Sequence, residues 1–339
     1  MSLSVSQNKG EWSELYAFIK LLADGQILYV DKEAEDSEFI APVDCISKDH
    51  TTLTINNDSV FSTSTVVLAR RELLGNWVKL LYENIKQGKK SFKIPEATYY
   101  ANQLGVSVDS KSNQTKGDLS FKILKPDTGK LSRSLDVSVK SWIGSSPTLF
   151  NASKLSTRLI YKVTGVADNI LNNLTNNDPR GNLKVIYDND GKVTFLECAK
   201  ATFQRNLQIL GASETLAYAV LHHFTRCETE GSSLEEISRK FGDPVLFKHK
   251  LGGFLRASAL GMTGGKTWEG TYIASDNILI VSNDGSLKCL IGRGLLENHL
   301  FQFSMIDTPS TTRHEYGNVY KKDNEWHINL NFQIRLRQY

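Results

Sequence analysis

One short segment in the first half of the chain constrains the fold most, because it combines two alternating strands with the residues of a tight turn. Segment 117–141 begins with Gly117 and Asp118, continues with apolar residues at every second position, and reaches Pro-Asp-Thr-Gly at 126–129. A second alternating stretch follows and ends with Lys140 and Ser141. Proline, aspartate and glycine supply turn conformations. The segment therefore predicts a β-hairpin, which needs a larger sheet around it to be stable.

The predicted turn also determines which side chains meet across the hairpin. With Gly129 in a left-handed bulge at the end of a short loop, Asp118 lies opposite Ser138. Because strand side chains alternate, Asp136, Ser138 and Lys140 then share one face with Asp118. A slip of one residue would place Asp118 on the opposite face, so the register decides whether these groups form one cluster.

Other patterns along the chain predict a mixed α/β fold. Trp12 to Leu22 carry apolar residues at helical spacing that stop at Asp24-Gly25, and residues 70–86 and 213–224 show similar helical patterns. Strand patterns return from residue 267 onward. We expect a fold of the α/β class with a mixed α+β sheet. A boundary near residues 206–213 would separate a first domain, 1–206, from a second, 207–339, with a helical segment and a β-rich part.

The net charge of +3 excludes a protein whose whole surface binds polyanions, but the charge is unevenly distributed. Between residues 109 and 163 there are ten Lys and Arg against four Asp, a local excess of +6 that leaves −3 for the rest of the 339 residues. Such a segment suits local binding of a polyanion. A solvated lysine-rich face is the alternative.

The chain shows no sequence signal for a membrane or for secretion. It contains no run of about 20 apolar residues, and its first residues lack the apolar core of a secretory signal. We therefore expect a soluble cytoplasmic protein that does not contact a membrane.

The predicted hairpin cluster suits metal-dependent hydrolysis of a phosphodiester. Oxygens of Asp118 and Ser138 could hold Mg²⁺, which lowers the pKa of a bound water, while Lys140 stabilises charge on the water and the phosphate. The alternative is that Asp-x-Ser-x-Lys is simply the solvated edge of an exposed strand. Glu11 and Glu14 lie in the first turn of the N-terminal helix, where acids also stabilise the helix end.

Three regions of the chain resemble one enzyme family. They are KGEWSELYAFIKLL at 9–22, VSVKSWIGSSPTLFNAS at 137–153, and PSTTRHEYG at 309–317 followed by LNFQIRL at 330–336. All three resemble the HpaII-type family of type II restriction endonucleases, a branch of the PD-(D/E)xK nucleases. The resemblance extends from the first helix to the last strand, so it implies a restriction-endonuclease-like core with the catalytic hairpin in the first domain.

The resemblance implies Mg²⁺-dependent cleavage of double-stranded DNA at a short G/C-rich palindrome, CCGG in the namesake enzyme, with 5′-phosphate products. Asp118 would be the metal-binding aspartate and Lys140 the lysine of the (D/E)xK element. Ser138 departs from the family pattern, because it occupies the position where an acid is usual. A second carboxylate must then come from elsewhere. Glu14 is the preferred candidate and Asp136 is the fallback.

Two polar segments are candidates for reading DNA bases. Segment 144–153 offers small hydroxyl and amide groups, and Arg313 could contact guanine O6 and N7 together. A tight turn and an internal ion pair are the respective structural alternatives. The residues predicted to contact DNA are Ser145, Ser146, Thr148, Asn151, Ser153, Lys154, Arg313 and His314.

The implied partners follow from a palindromic target. A homodimer would place one active site on each DNA strand. The family also implies a cognate DNA methyltransferase that protects the host genome. Two other functions remain open: a catalytically inactive, sequence-specific DNA-binding protein, suggested by Ser138, and a structure-specific repair nuclease on the same fold.

Overall fold

The computed structural model describes residues 6–31, 38–56, 58–62, 67–108, 118–126, 128–225, 231–270, 277–291 and 293–337. The chain divides into two compact units, each built from two chain segments. The first unit comprises Met1–Pro147 and Tyr272–Leu296, and the second comprises Thr148–Thr271 and Glu297–Tyr339. The boundary expected near 206–213 falls inside the second unit. Residues 109–117 and 127, parts of the basic segment and the hairpin, lie outside the described residues.

The helices of the described residues are α1 (Lys9–Asp24), α2 (Arg71–Gln87), α3 (Pro95–Gln103), α4 (Asp168–Leu171), α5 (Pro179–Asp188), α6 (Ala201–Ile209), α7 (Ser213–Thr225), α8 (Leu234–Ser238), α9 (Pro244–Ala259), α10 (Arg293–Phe303) and α11 (Thr311–His314). The strands are β1 (Ser6–Asn8), β2 (Gln26–Asp31), β3 (Glu38–Lys48), β4 (Thr51–Asn56), β5 (Ser59–Ser62), β6 (Val67–Arg70), β7 (Ser91–Lys93), β8 (Leu119–Ile123), β9 (Leu135–Ser141), β10 (Thr148–Phe150), β11 (Leu159–Thr164), β12 (Lys192–Cys198), β13 (Ser232–Ser233), β14 (Asn277–Val281), β15 (Leu287–Ile291), β16 (Ser304–Asp307), β17 (Val319–Lys322), β18 (Glu325–Leu330) and β19 (Gln333–Leu336).

These elements confirm the predicted mixed α/β class. The predicted helices at 12–22, 70–86 and 213–224 correspond to α1, α2 and α7. The β-rich part predicted after residue 267 contains β14 to β19, but it also contains α10, which the strand pattern missed. Leu296, Leu300 and Phe301 of α10 are buried at helical spacing, so the helical signal was present in the sequence.

A sheet of nine strands organises the described part of the first unit, in the order β2-β15-β14-β9-β8-β3-β4-β5-β6. Strand β14 runs parallel to β9, and β15 runs parallel to β2. Strand β3 pairs with β2 along its first half and with β8 along its second. Together these pairings connect six strands, from β2 through β9 to β3, into a closed circuit. Strand β9 therefore has hydrogen-bonded neighbours on both edges, which holds its side chains in fixed positions.

Helix α1 lies in the core of the first unit. It begins with a capping box, in which the Asn8 side chain accepts from the Glu11 nitrogen and the Glu11 carboxylate accepts from the Asn8 nitrogen. It ends at Gly25, whose φ of 60° is left-handed. Its fully buried apolar residues include Trp12, Leu15, Ala17, Phe18, Ile19, Leu21 and Leu22. A helix that is apolar on most of its surface is surrounded by protein, so Glu14 lies in an environment unusual for an acid.

The second unit contains two four-stranded sheets among its described residues, in the orders β10-β19-β16-β13 and β12-β11-β18-β17. Helices α4 to α9 and α11 belong to this unit. Part of its core is aromatic: the ring of Phe150 lies 5.6 Å from Phe203, 5.2 Å from Phe254 and 5.7 Å from Phe332.

Within the described part of the chain, no helix has the length and apolar character that crossing a membrane requires.

Candidate active site

The hairpin of β8 and β9 has the register that its turn predicts. Leu119 pairs with Val137 and Ser120 pairs with Asp136, which is the alignment that places Asp118 beside Ser138. Gly129 has a φ of 63°, as the predicted left-handed bulge requires. The expected meeting of Asp118 with the polar face of β9 is therefore confirmed.

The Asp118 carboxylate is held by strand β9. Its Oδ2 atom accepts a hydrogen bond from the Val139 backbone nitrogen at 2.7 Å and lies 3.3 Å from the Ser138 hydroxyl oxygen, which donates to it. Strand β8 begins only at Leu119, so the Val139 amide extends beyond the paired part of the hairpin. The carboxylate thus satisfies a backbone donor that the neighbouring strand leaves without a carbonyl partner.

Ser138 connects the acid to a lysine. The Lys140 ammonium donates to the Ser138 hydroxyl oxygen at 3.0 Å. A hydroxyl can accept from one group while it donates to another, so Ser138 accepts from Lys140 and donates to Asp118. Ser138 is buried, with only 9% of its surface exposed. The three side chains form one continuous hydrogen-bonded chain on the polar face of β9.

Helix α1 adds a second carboxylate to this cluster. Burial raises the pKa of Glu14 to about 8, and the nearby charge of Asp118 contributes to the increase. The positive charges of Lys48 and Lys140 act in the opposite direction. The Glu14 carboxyl thus responds to the charges at both ends of the Asp118–Lys140 chain. Glu11, the other acid of the first turn, forms the capping box with Asn8 and stabilises the helix start.

Lys48 is a member of the site that the sequence analysis did not identify. It is the last residue of β3, only 3% of its side chain is exposed, and its Nζ lies 3.7 Å from Glu14 Oε2. In the sequence it belongs to a polar stretch, 47–51, that is typical of a surface turn. The sequence signal that could have identified Lys48 is the alternation of side chains along a strand. Ile46 is fully buried, and Lys48, two residues later, faces the same side of the sheet.

Asp136, the fallback acid, lies on β9 at the same face as Ser138. Its backbone carbonyl accepts a hydrogen bond from the Asn277 side chain at 3.3 Å. The charges that act on Glu14 come from Asp118, Lys48, Lys140 and Glu11. The charge of Asp118 thus acts on Glu14, and the choice between Glu14 and Asp136 as the second acid stays a prediction.

The donor set of this cluster fits a hard divalent cation. Asp118 and Glu14 supply carboxylate oxygens and Ser138 supplies a hydroxyl oxygen, the ligand type that Mg²⁺ prefers. Within the described ranges, no group of three or more His, Cys, Asp or Glu side chains is arranged to enclose a metal. Mg²⁺ is commonly bound by one or two carboxylates together with substrate phosphate and water, so two carboxylates are sufficient.

The predicted base-reading segment 144–153 does not form one element. Gly144 has a left-handed φ of 73°, and a Cβ there would lie 3.0 Å from the Lys86 carbonyl oxygen, so the turn favours glycine. Ser145 and Ser146 follow this turn in irregular backbone, whereas Thr148 begins strand β10. Asn151 to Lys154 follow β10 as an irregular segment and a turn. The described segment thus crosses from the first unit to the second after residue 147.

In the second unit, the structure brings the end of this segment to the Arg313-His314 turn. The Lys154 ammonium lies 2.5 Å from a Glu315 carboxylate oxygen. Arg158 donates to the backbone carbonyls of His314 and Glu315, at 3.2 and 2.9 Å. Two segments that were predicted separately therefore form one polar surface.

Side-chain hydrogen bonds hold the backbone of this surface. Thr157 and Asn331 both donate to the Ser153 carbonyl, at 3.1 and 2.8 Å. Arg313 is exposed on the short helix α11, whose first turn is capped by the Ser310 hydroxyl. The side chains that could contact a ligand thus extend from a backbone that is held by hydrogen bonds.

Comparison with known proteins extends over nearly the whole chain. The model of the HpaII restriction endonuclease family matches residues 8–336. The chain is also 30% identical, over 356 aligned residues, to the type II restriction enzyme HpaII of Haemophilus parainfluenzae, covering 98% of each protein. No solved structure matches the chain.

Proposed function

The chain belongs to the HpaII restriction endonuclease family, and on this premise we propose that it cleaves both strands of DNA at a short G/C-rich palindrome, similar to CCGG, in a Mg²⁺-dependent reaction. The family predicted from the sequence is confirmed, and its members are site-specific deoxyribonucleases. The hydrogen-bonded chain from Asp118 through Ser138 to Lys140, with Glu14 beside it, is the observation that carries the proposal.

We infer that the hairpin of β8 and β9 is the catalytic element of a PD-(D/E)xK core. In that assignment Asp118 is the metal-binding aspartate, Lys140 is the lysine of the (D/E)xK element, and Glu14 replaces the acid that Ser138 lacks. The clustering of these groups around β9 supports the assignment. Asp136 is the alternative second acid, because it shares the polar face of the same strand.

Asp118 and Glu14 would hold the cation, with the Ser138 hydroxyl as a further oxygen. Bound Mg²⁺ supplies two effects: it lowers the pKa of a water molecule, and it neutralises charge on the scissile phosphate. The Val139 nitrogen orients the Asp118 carboxylate, and Ser138 orients the Lys140 ammonium. Asp118 and Lys140 are therefore positioned before DNA binds.

The reaction adds water to phosphorus and breaks the bond to the 3′ oxygen. The water oxygen stays on phosphorus, a proton ends on the 3′ oxygen, and the products are a 5′-phosphate and a 3′-hydroxyl. Negative charge increases on the phosphate oxygens in the transition state, and the Lys140 ammonium stabilises it. Lys140 can act in this way because Ser138, a neutral group, leaves most of the charge of its ammonium available.

DNA contacts by the second unit are part of the proposal. Arg313 and Lys154 project from the polar surface that Arg158 organises. An exposed arginine on a fixed turn suits guanine, and a lysine suits the phosphate backbone. Ser145, Ser146, Thr148, Asn151, Ser153 and His314 are the further candidates for DNA contact.

A palindromic target favours a homodimer with one active site for each strand. A cognate DNA methyltransferase would protect the host genome from cleavage. The family provides the support for this functional partner.

Digestion of unmethylated phage DNA, with and without Mg²⁺, tests the proposal when the fragment ends are sequenced. Mg²⁺-dependent fragments that share one short palindrome at their ends are the expected result. Cuts at flaps or mismatches without a shared sequence would indicate a repair nuclease instead. Intact DNA that the protein nevertheless retards at one sequence would indicate an inactive DNA-binding protein, the alternative that Ser138 favours.

A further inference from the structure

Lys48 is a buried charge whose position is not explained by packing. Only 3% of its side chain is exposed, although lysine side chains usually extend to reach water. The ion pair that it forms is with Glu14, at 3.7 Å, and 17% of the Glu14 side chain is exposed. Replacing a buried ion pair by apolar residues of similar volume is often neutral or stabilising. Stability alone therefore does not account for a lysine at this place.

The distribution of charge in the site gives Lys48 a separate role from Lys140. The charges of Asp118, Lys48 and Lys140 all act on the Glu14 carboxyl. Lys140 donates to Ser138 on β9, whereas Lys48 contacts Glu14 on α1. Each acid thus has its own neighbouring lysine.

The attachment of the two acids also differs. Asp118 is fixed by the Val139 backbone nitrogen. Glu14 extends from a helix, and its Oε2 atom faces the end of β3, where Lys48 is held by pairing with Thr51. The ion pair thus connects the Glu14 carboxylate to the sheet that carries Asp118.

We propose that Lys48 is a positioning residue of the nuclease site, which holds the Glu14 carboxylate in place so that it can bind a divalent cation together with Asp118. The inference rests on the proposed function, because it assigns Glu14 to the cation. It extends that function by adding a residue of β3 that contacts neither the cation nor DNA.

Binding of Mn²⁺ to the full-length protein without DNA, measured by calorimetry, tests the role apart from cleavage. Removing a residue that supports a metal ligand typically weakens metal affinity by about 10- to 100-fold, and we expect Lys48→Met to weaken Mn²⁺ binding by that range. Lys288→Met is the matched control, because Lys288 also pairs with a glutamate of β3, Glu38, in the same unit. It should leave Mn²⁺ affinity unchanged.

A double mutant separates positioning from general damage to the fold. In a Glu14→Gln background, Lys48→Met should cause no further loss of Mn²⁺ affinity, since the group that Lys48 positions is gone. An equal loss in both backgrounds would overturn the proposal. Tighter Mn²⁺ binding by Lys48→Met would also overturn it, because Lys48 would then compete with the cation.

Lys48→Arg keeps the charge and provides a second test if Lys48→Met does not fold. We expect Lys48→Arg to retain Mn²⁺ affinity within about threefold. A loss of affinity as large as that of Glu14→Gln would contradict the proposal. Glu14→Gln also distinguishes failure of the role of Lys48 from failure of the proposed metal site. If it weakens Mn²⁺ binding and neither Lys48 variant does, only the role of Lys48 fails. If Glu14→Gln and Asp118→Asn both leave Mn²⁺ binding unchanged, the proposed metal site fails, and the role of Lys48 fails with it.

Discussion

The carboxylate of Asp118 accepts a hydrogen bond from the backbone nitrogen of Val139, with Oδ2 and N 2.7 Å apart. Side-chain substitutions on β9 do not remove a backbone donor. Strand β9 is also paired on both edges, with β8 and with β14. Changes at Ser138 or Lys140 should therefore alter the chemistry of the site while Asp118 keeps its position.

Lys140→Ala tests the role of the lysine in cleavage. Loss of a preorganised group that stabilises transition-state charge typically costs 10²- to 10³-fold in rate, so we expect single-turnover cleavage to fall by about that factor. Binding of the uncleaved duplex should change little. Lys130→Ala is the control, because Lys130 is an exposed lysine of the same hairpin. Cleavage by Lys140→Ala at the wild-type rate would exclude Lys140 from the mechanism.

Ser138→Ala tests whether the hydroxyl connects the lysine to the acid. The substitution removes the acceptor for Lys140, at 3.0 Å, and a donor to Asp118. We expect cleavage to slow by about 10- to 100-fold, as for other residues that support a metal ligand. The matched control is Ser120→Ala on the adjacent strand β8, which should cleave normally. A normal rate for Ser138→Ala would show that Lys140 is oriented without the hydroxyl.

Glu14→Gln should change how the stability of the metal-free protein depends on pH. Burial raises the pKa of Glu14 from 4.5 to about 8. Between these values the unfolded chain has released the Glu14 proton and the folded protein retains it, so a rise in pH favours unfolding. The limiting slope is about 1.4 kcal/mol per pH unit. Glutamine resembles the protonated acid and removes this contribution.

Denaturant unfolding in EDTA, repeated from pH 5 to pH 9, measures the effect. The free energy of unfolding of the wild type should fall relative to Glu14→Gln as pH rises through this window. A constant difference between wild type and Glu14→Gln would mean that Glu14 ionises near its ordinary value.

Local chemistry explains which parts of the site the sequence predicted. The turn residues before Gly129 fix the hairpin register, and the register in turn places Asp118 beside Ser138. Helix α1 was predictable for the same reason, since its apolar spacing and its end at Gly25 are local signals. The choice of Glu14 required the resemblance to a family, because the first turn of a helix also favours acids for stability alone.

Long-range pairing explains what the sequence did not predict. Strands β14 and β15 join the first unit by parallel pairing with β9 and β2, which lie far earlier in the chain. No local sequence pattern encodes such pairing. A single domain boundary in the sequence cannot separate two units that are each built from two chain segments. The sequence did not predict Lys48 for a similar reason, because the burial of Lys48 depends on packing against α1 and not on its polar neighbours in sequence.

Arg313→Ala tests whether the polar surface of the second unit reads bases. Arg313 is exposed on α11, and Arg158 fixes the adjoining turn through the carbonyls of His314 and Glu315. Loss of an arginine that contacts guanine typically costs about 1 to 3 kcal/mol for the specific site. We expect a loss of this size for duplex DNA containing the cleavage site, measured by fluorescence anisotropy without Mg²⁺.

Comparison with a lysine variant separates base reading from backbone attraction. Lys154→Ala should weaken binding to specific and unrelated duplexes equally and reduce the salt dependence, as expected for a phosphate contact. Arg313→Ala should weaken the specific complex much more than the unrelated one. The control Arg239→Ala, an exposed arginine elsewhere in the same unit, should change neither. Equal losses on both duplexes for Arg313→Ala would assign Arg313 to the phosphate backbone, because only a contact with base edges distinguishes one sequence from another.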